Sequence, residues 1–152
     1  MYLEKYHALG NDFLVVERSD FCDGKNFGEL AKRLCSRKKC LGADGLIVVD
    51  KKTCQVDFFN ADGSFAECCG NGLRCIVAYL QNFSDSDEFE LKTADGVKKA
   101  TVLTAQPFVC KVCLIGLLVG IALFSQVIYK LTPVVWRIAH TEFCNGAFFI
   151  AS

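Results

Sequence analysis

Alternating and clustered apolar positions predict short strands over roughly the first hundred residues, interrupted by two helices. Apolar runs bounded by turn residues place strands at 14–16, 46–49, 55–59, 88–93 and 98–103. A first helix is expected over 27–37, with Leu30, Ala31 and Leu34 on one face. Strands and helices mixed in this order predict an α+β domain.

The clearest helical periodicity follows a turn at 60–64. Apolar residues recur there at steps of three and four positions: Leu73, Ile76, Val77, Leu80 and Phe83. They predict a helix over 70–83, and because its other sides are also apolar, the helix should be buried all round. The expected architecture is therefore a set of short strands wrapped around a buried central helix.

The start of this second helix carries the chemistry. Cys69 precedes Gly70, Asn71 and Gly72, a glycine-rich turn that opens the helical run. Unpaired N–H groups and the positive end of the dipole favour an anion at such a position. That anion can be the Cys69 thiolate or a substrate carboxylate. One loop therefore offers a reactive sulfur and a carboxylate cradle side by side.

The composition changes after residue 107. Residues 112–129 contain no charged side chain, and Lys111 and Lys130 bracket them. A membrane span needs roughly 17–25 apolar residues, so the length allows membrane contact, while a pair of buried strands or a core helix fits equally well. We divide the chain into a domain over 1–104 and an apolar C-terminal segment over 105–152, whose structure the pattern leaves open.

Charge and cysteine content narrow the classes of partner and compartment. The chain has 17 basic and 17 acidic side chains and no long like-charged run, which gives no support for a nucleic-acid partner. The N-terminal residues lack the basic start and apolar run of a signal peptide, so we expect a cytoplasmic protein, with membrane association as the alternative. The ten cysteines are then expected to be reduced. Cys110 and Cys113 lack the further ligands of a zinc site, so no metal is expected.

Several short motifs occur together in a specific order. They are His7-Ala8-Leu9-Gly10-Asn11-Asp12-Phe13, Gly42-Ala43-Asp44-Gly45, Asn60-Ala61-Asp62-Gly63-Ser64 and Cys69-Gly70-Asn71-Gly72-Leu73-Arg74-Cys75. This set resembles the N-terminal half of the diaminopimelate epimerase family, and residues 92–96 resemble its next strand-turn-strand. The resemblance covers roughly the first 104 residues.

The resemblance implies both an architecture and a reaction. Family members have two similar α+β domains with the active site in the cleft between them. They convert LL- to meso-diaminopimelate, a precursor of lysine and the cell wall, without pyridoxal phosphate or metal. One cysteine removes the α-proton from one face of the substrate, and a cysteine of the other domain delivers a proton to the opposite face. By motif position, Cys69 matches the catalytic cysteine of the first domain. Asn11 and Asn60 match substrate-binding asparagines, and Gly70 and Asn71 match the residues that hold the α-carboxylate.

The motifs of the family's second half are not matched, so the second catalytic thiol has no position in this sequence. Three interpretations stay open. The chain is a fragment or truncated relative; or it is a half-size enzyme whose homodimer faces Cys69 of one copy toward Cys69 of the other. The third is a non-catalytic amino-acid-binding domain, attached to a membrane through 112–129. In each, the expected partner is a small diaminopimelate-like amino acid.

Overall fold

The computed structural model describes residues 2–105, 108–113, 126–127 and 136–137. The elements in chain order are β1 (Tyr2–Ala8), β2 (Asn11–Glu17), a 3-10 turn (Arg18–Asp20), α1 (Phe27–Leu34), β3 (Gly45–Asp50), β4 (Gln55–Asn60), β5 (Phe65–Ala66), α2 (Gly70–Leu80), β6 (Glu88–Thr93), β7 (Gly96–Ala105), β8 (Phe108–Val112), β9 (Gln126–Val127) and β10 (Trp136–Arg137). The fold is therefore mixed α+β with few helices.

One mixed sheet contains all the strands described. Their order is β10-β1-β2-β3-β4-β6-β7-β8-β9, and β5 pairs with the C-terminal part of β4. The pairs β2–β3 and β4–β6 are parallel, and the other pairs are antiparallel. Helix α2 contacts both β1 and β8, which lie far apart in this order. The sheet must therefore curl for both strands to reach one helix.

Each face of the sheet packs against a different helix, because side chains alternate along a strand. In β3, Ile47 and Val49 join the core that contains α2, whereas Leu46 and Val48 join the core that contains α1. All four of these side chains are fully buried. A continuous apolar run in β3 thus reflects a strand covered on both faces.

Helix α2 sits unusually close to strand β4. Nine consecutive residues, Gly72–Leu80, are buried. A Cβ added at Gly72 would lie 2.6 Å from Cε1 of Phe58. Any side chain at this position would push the first turn of α2 away from the sheet, so the glycine sets how closely the helix start approaches β4.

The predicted strands at 46–49, 55–59 and 88–93 are confirmed as β3, β4 and β6. Helix α1 ends at Leu34 instead of residue 37, since the returning loop satisfies its carbonyls: Gly42 N–H donates to Leu34 O. Helix α2 ends at Leu80 instead of residue 83, where Phe83 N–H donates to Leu80 O in a tighter turn. The predicted strand at 14–16 is confirmed within β2, and both β2 and β7 are longer than predicted. Strands β1, β5, β8, β9 and β10 were not predicted.

The sheet continues past residue 104, since β8 pairs with β7 and buries Phe108 and Cys110 in the α2 core. The domain boundary at 104 stays a prediction. Of the segment 112–129, Val112 ends β8 and Gln126–Val127 form β9, while most of the rest lies outside the described residues. Among the described helices, none has the length and apolar character needed to cross a membrane.

Candidate active site at the start of helix α2

Cys69 is the N-cap of α2, which confirms its predicted position at a helix start. The Gly72 N–H donates to Cys69 Sγ at 3.4 Å, and the Leu73 N–H donates to Cys69 O at 2.8 Å. Within the described part of the chain, the N–H groups of Gly70 and Asn71 meet no acceptor. Two backbone donors next to the sulfur in sequence are therefore available to a ligand, at the positive end of the helix.

Asn11 and Asn60 lie at the same end of the sheet. Asn60 ends β4 opposite Gly45, and Gly45 pairs in turn with Phe13 of β2, two residues beyond Asn11. By strand alternation, Asn11 shares a face with Phe13, and Asn60 shares a face with Phe58. Both phenylalanines belong to the α2 core. The fold therefore places both asparagines at the same end of the strands. They also lie on the sheet face that packs against α2.

Asn60 also has a local structural role. Its side-chain amide donates to Ser64 Oγ at 2.8 Å, and Ser64 in turn donates to Asp62 from both its N–H and its hydroxyl. Gly63, at φ 82°, completes this turn. Asn60 is thus held in place by the turn that leads to β5 and then to Cys69.

A charged cluster on the opposite face anchors the strand end that carries Asn11. Both guanidinium nitrogens of Arg37 donate to the Asp12 carboxylate, and Lys5 Nζ lies 2.9 Å from it. Arg37 also bonds Asp44, whose backbone N–H donates to Asp12. Burial alone would raise the pKa of Asp12, but these hydrogen bonds outweigh it and hold that pKa well below its usual range.

The neighbouring thiols differ from Cys69 in their surroundings. Burial raises the pKa of Cys68, which packs against the α2 core, and that of Cys75 within the helix. Burial likewise raises the pKa of Cys110 to about 11, although the nearby Arg74 opposes the shift. Burial therefore disfavours the thiolate forms of these cysteines, which makes them poorer nucleophiles.

Sequence reasoning missed one polar residue of this site. Arg74 is only 7% exposed, and its Nη1 donates to Asn71 Oδ1 at 2.7 Å. The signal was present in the sequence: Arg74 interrupts an apolar helix, three residues after Asn71 and thus on the same face. Only burial within the curled sheet distinguishes it from an ordinary exposed arginine.

Other features lie away from this site. A cleft of about 510 Å³ lies at the opposite end of β2 and β3, lined by residues that include Glu17, Arg18, Asp50 and Lys52. It contains none of the candidate residues. Over the described ranges, no three metal-ligating side chains come together.

Comparison with known proteins agrees with the motifs. A family model described as diaminopimelate epimerase matches residues 3–111. Diaminopimelate epimerase from Alkaliphilus metalliredigens is 36% identical over 114 residues, covering 72% of this chain and 40% of that protein. The Halothermothrix orenii enzyme is 44% identical over 100 residues, covering 61% and 35%. The chloroplastic enzyme of Oryza sativa subsp. japonica is 38% identical over 104 residues, covering 64% and 29%. The chain thus spans 40% or less of these relatives' lengths.

Two solved structures share the fold. A phenazine biosynthesis protein of the PhzF family from Bacillus anthracis superposes with a TM-score of 0.55 at 14% identity, covering 74% of this chain and 40% of that one. A putative phenazine biosynthesis PhzC/PhzF protein from Clostridium difficile gives a TM-score of 0.51 at 16% identity, covering 65% and 40%. At these identities the likeness concerns the architecture alone.

Proposed function

The chain belongs to the diaminopimelate epimerase family, and we propose on that basis that it carries the first half of an amino-acid epimerase site. The reaction is removal and return of the α-proton of a diaminopimelate-like substrate. The observation that carries this proposal is the pairing of Cys69 Sγ with two available backbone N–H groups, those of Gly70 and Asn71, at one helix start.

The two N–H groups would bind the substrate's α-carboxylate. An α-proton beside a carboxylate is a very weak acid, so negative charge that develops on the carboxylate during proton removal must be stabilised. Donors fixed at a helix start are already oriented for that charge and need no reorganisation. Asn11 and Asn60 would orient the rest of the substrate from the neighbouring strand ends of β2 and β4.

Cys69 would act as the acid or base on one face of the α-carbon. As base, its thiolate accepts the α-proton, the S–H bond forms, and the electron pair of the C–H bond stays on the substrate. The Gly72 N–H, which donates to Sγ, supports negative charge on the sulfur before this step. Inversion then needs a second thiol that delivers a proton to the opposite face, because Cys69 alone would return the proton to its original face.

The second thiol is proposed to come from a second copy of the chain, in a two-fold arrangement that faces one Cys69 toward the other. We further propose that the strands wrap around α2 as a buried central helix, which would fix the position of its start. The alternative function is amino-acid binding without catalysis. One observation favours it: in the described part of the chain, Cys69 is the one cysteine at the N-terminal cap of a helix, so no second thiol lies in such a position within a single copy.

The test is deuterium incorporation at the α-carbon. The purified chain is incubated with LL- and with meso-diaminopimelate in D₂O under reducing conditions, and deuterium uptake and stereoisomer ratio are followed together. Cys69→Ala removes the proposed acid–base group, and Cys68→Ala is the matched control, because it deletes the adjacent thiol.

Uptake with inversion that requires Cys69 and survives loss of Cys68 supports a complete site in a dimer. Deuterium uptake without inversion supports one working thiol and contradicts the proposal that a second copy of the chain supplies the other. Absence of uptake, combined with saturable diaminopimelate binding, favours the binding-domain alternative. Undiminished uptake in Cys69→Ala would overturn the assignment.

A further inference from the structure

Arg74 occupies a position that is costly for the fold. Its side chain is almost fully buried, and Nε has no hydrogen-bond partner in the described structure. None of the ion pairs among the described residues involves Arg74. A buried cation without a carboxylate is strongly unfavourable, so such a group indicates that an anion belongs nearby.

The direction of the side chain shows where that anion would lie. Side chains of an α-helix lean toward its N-terminus, and Arg74 reaches back to Asn71 in the first turn. Its positive charge is thereby added to the positive end of the helix dipole, where a cation is disfavoured. That first turn contains no acidic residue. The start of α2 therefore concentrates positive charge without a compensating group among the described residues.

The contact with Arg74 also fixes the orientation of the Asn71 amide. A guanidinium can only donate hydrogen bonds, so the Asn71 oxygen must face it. The two N–H groups of the Asn71 side chain then point away from Arg74. These side-chain N–H groups and the backbone N–H groups of Gly70 and Asn71 belong to the same first turn of α2, and all of them are hydrogen-bond donors.

We propose that Arg74 is a positioning residue for a substrate carboxylate, which it serves by holding Asn71 as a donor and by adding an uncompensated positive charge at the start of α2. The inference deepens the carboxylate role given to this helix start and rests on it. It predicts that the site prefers an anionic ligand over a neutral one of the same shape.

The test uses Cys69 of the full chain as a reporter of this field. Alkylation rates of Cys69 by iodoacetate and by iodoacetamide are measured by peptide mass spectrometry. The ratio of the two rates isolates the local charge from the nucleophilicity of the sulfur, since both reagents attack the same thiolate. A second readout is the NMR position of the assigned Asn71 side-chain NH₂ pair, which follows the orientation of its amide.

Four variants separate the roles of charge, hydrogen bond and packing. Arg74→Met removes charge and donor, Arg74→Gln keeps a donor without charge, and Arg74→Lys keeps the charge. Lys99→Met is the matched control, because it removes an exposed positive charge elsewhere on the surface. If Arg74→Met does not fold, the Gln and Lys variants carry the comparison, because both keep a polar group at the end of a flexible side chain.

We expect the iodoacetate-to-iodoacetamide ratio to fall about fivefold in Arg74→Met and Arg74→Gln, the order expected of one charge in a partly buried site. It should stay within about twofold in Arg74→Lys and Lys99→Met, the margin left for an exposed, screened charge. The Asn71 NH₂ pair should move in Arg74→Met and stay in Arg74→Gln. An unchanged ratio and unmoved Asn71 signals in Arg74→Met would overturn the proposal. Neither readout needs turnover. If the chain shows no deuterium exchange but its iodoacetate-to-iodoacetamide ratio still depends on Arg74, only the epimerase proposal is rejected.

Discussion

The two helices begin with the same kind of capping hydrogen bond, but they differ in the charged residues and glycines of their terminal turns. In α1, Asn26 Oδ1 accepts from the Glu29 N–H at 3.1 Å, and in α2, Cys69 Sγ accepts from the Gly72 N–H at 3.4 Å. Helix α1 has Glu29 in its first turn and Lys32 and Arg33 in its last, a distribution that complements the helix dipole. Helix α2 has neither, and its first turn contains two glycines.

This difference fits a structural role for the start of α1 and the proposed ligand role for the start of α2. Asn is among the best N-cap residues and Cys is not, and glycine within a helix costs about 1 kcal/mol relative to alanine. Helix α2 nevertheless keeps these features and adds a buried Arg74. Departures from local rules concentrate at functional sites, where the rest of the fold compensates for them. At α2, that compensation is the burial of nine consecutive residues.

The largest contrast is expected from replacing each capping residue with serine. Cys69→Ser keeps a capping side chain and removes the thiol, so α-proton exchange should fall at least about 100-fold, the scale of losing a catalytic acid–base group. Its free energy of unfolding should change by less than about 1 kcal/mol. Asn26→Ser, the matched change in α1, should leave exchange intact. Equal exchange in the two variants would remove the distinction between the helix starts.

The next effect concerns the glycines that let each helix approach the sheet. A Cβ at Gly72 would meet the Phe58 ring at 2.6 Å, and one at Gly28 would meet the Gly63 carbonyl oxygen at 2.6 Å. Each Gly→Ala variant should lose about 1–3 kcal/mol of stability by denaturant unfolding.

Only Gly72→Ala should also change the alkylation rate of Cys69, because it displaces the α2 start. Phe58→Leu in the same chain should recover part of the loss at Gly72 and none at Gly28. Equal recovery at both positions would contradict the contact.

A smaller effect is expected from the charged cluster on the α1 face. The pKa of Asp12 is depressed in the folded chain, so its ion pairs stabilise the protein above the unfolded pKa of about 4 and are lost as pH falls below it. Asp12→Asn should cost about 1 kcal/mol at pH 7, because its partner Arg37 is solvent-screened, and progressively less in acid. Denaturant unfolding at pH 7 and pH 3 measures this; a pH-independent loss would exclude the electrostatic origin. Asp57→Asn, which removes the carboxylate paired with Arg18, serves as control at the opposite sheet end.

The smallest effects come from the caps themselves. Asn26→Ala should destabilise the chain by about 1 kcal/mol, whereas Cys69→Asn should stabilise it by about 0.5 kcal/mol, because an amide oxygen caps better than sulfur. Thermal unfolding of both variants under reducing conditions provides the measurement. A destabilised Cys69→Asn would show that sulfur packing, and not the ligand site, explains the cysteine at this cap.

Several elements could be predicted because their signals are local. The apolar run at 46–49 and the turn at 60–64 mark β3 and the end of β4 without reference to any other part of the chain. Strand β1 was missed because Glu4 and Lys5 interrupt its apolar positions, one on each face, and its stability comes from pairing with β2. The β1–β2 turn is made by Leu9 at φ 55° and Gly10 at φ 83°. Its glycine signals a turn in the sequence, whereas a leucine gives no sign of that conformation.

The sequence by itself determined the α+β class, the family resemblance and the position of Cys69 at a helix start, because caps, turns and periodicity act over a few residues. Tertiary structure decided the rest. Strand register placed Asn11 and Asn60 at the same end of the sheet, on the face that packs against α2. Curling of the sheet buried Arg74. Both depend on contacts between distant parts of the chain. Burial leaves the Arg74 guanidinium without a carboxylate partner among the described residues, and a cation removed from water needs an anion as its partner.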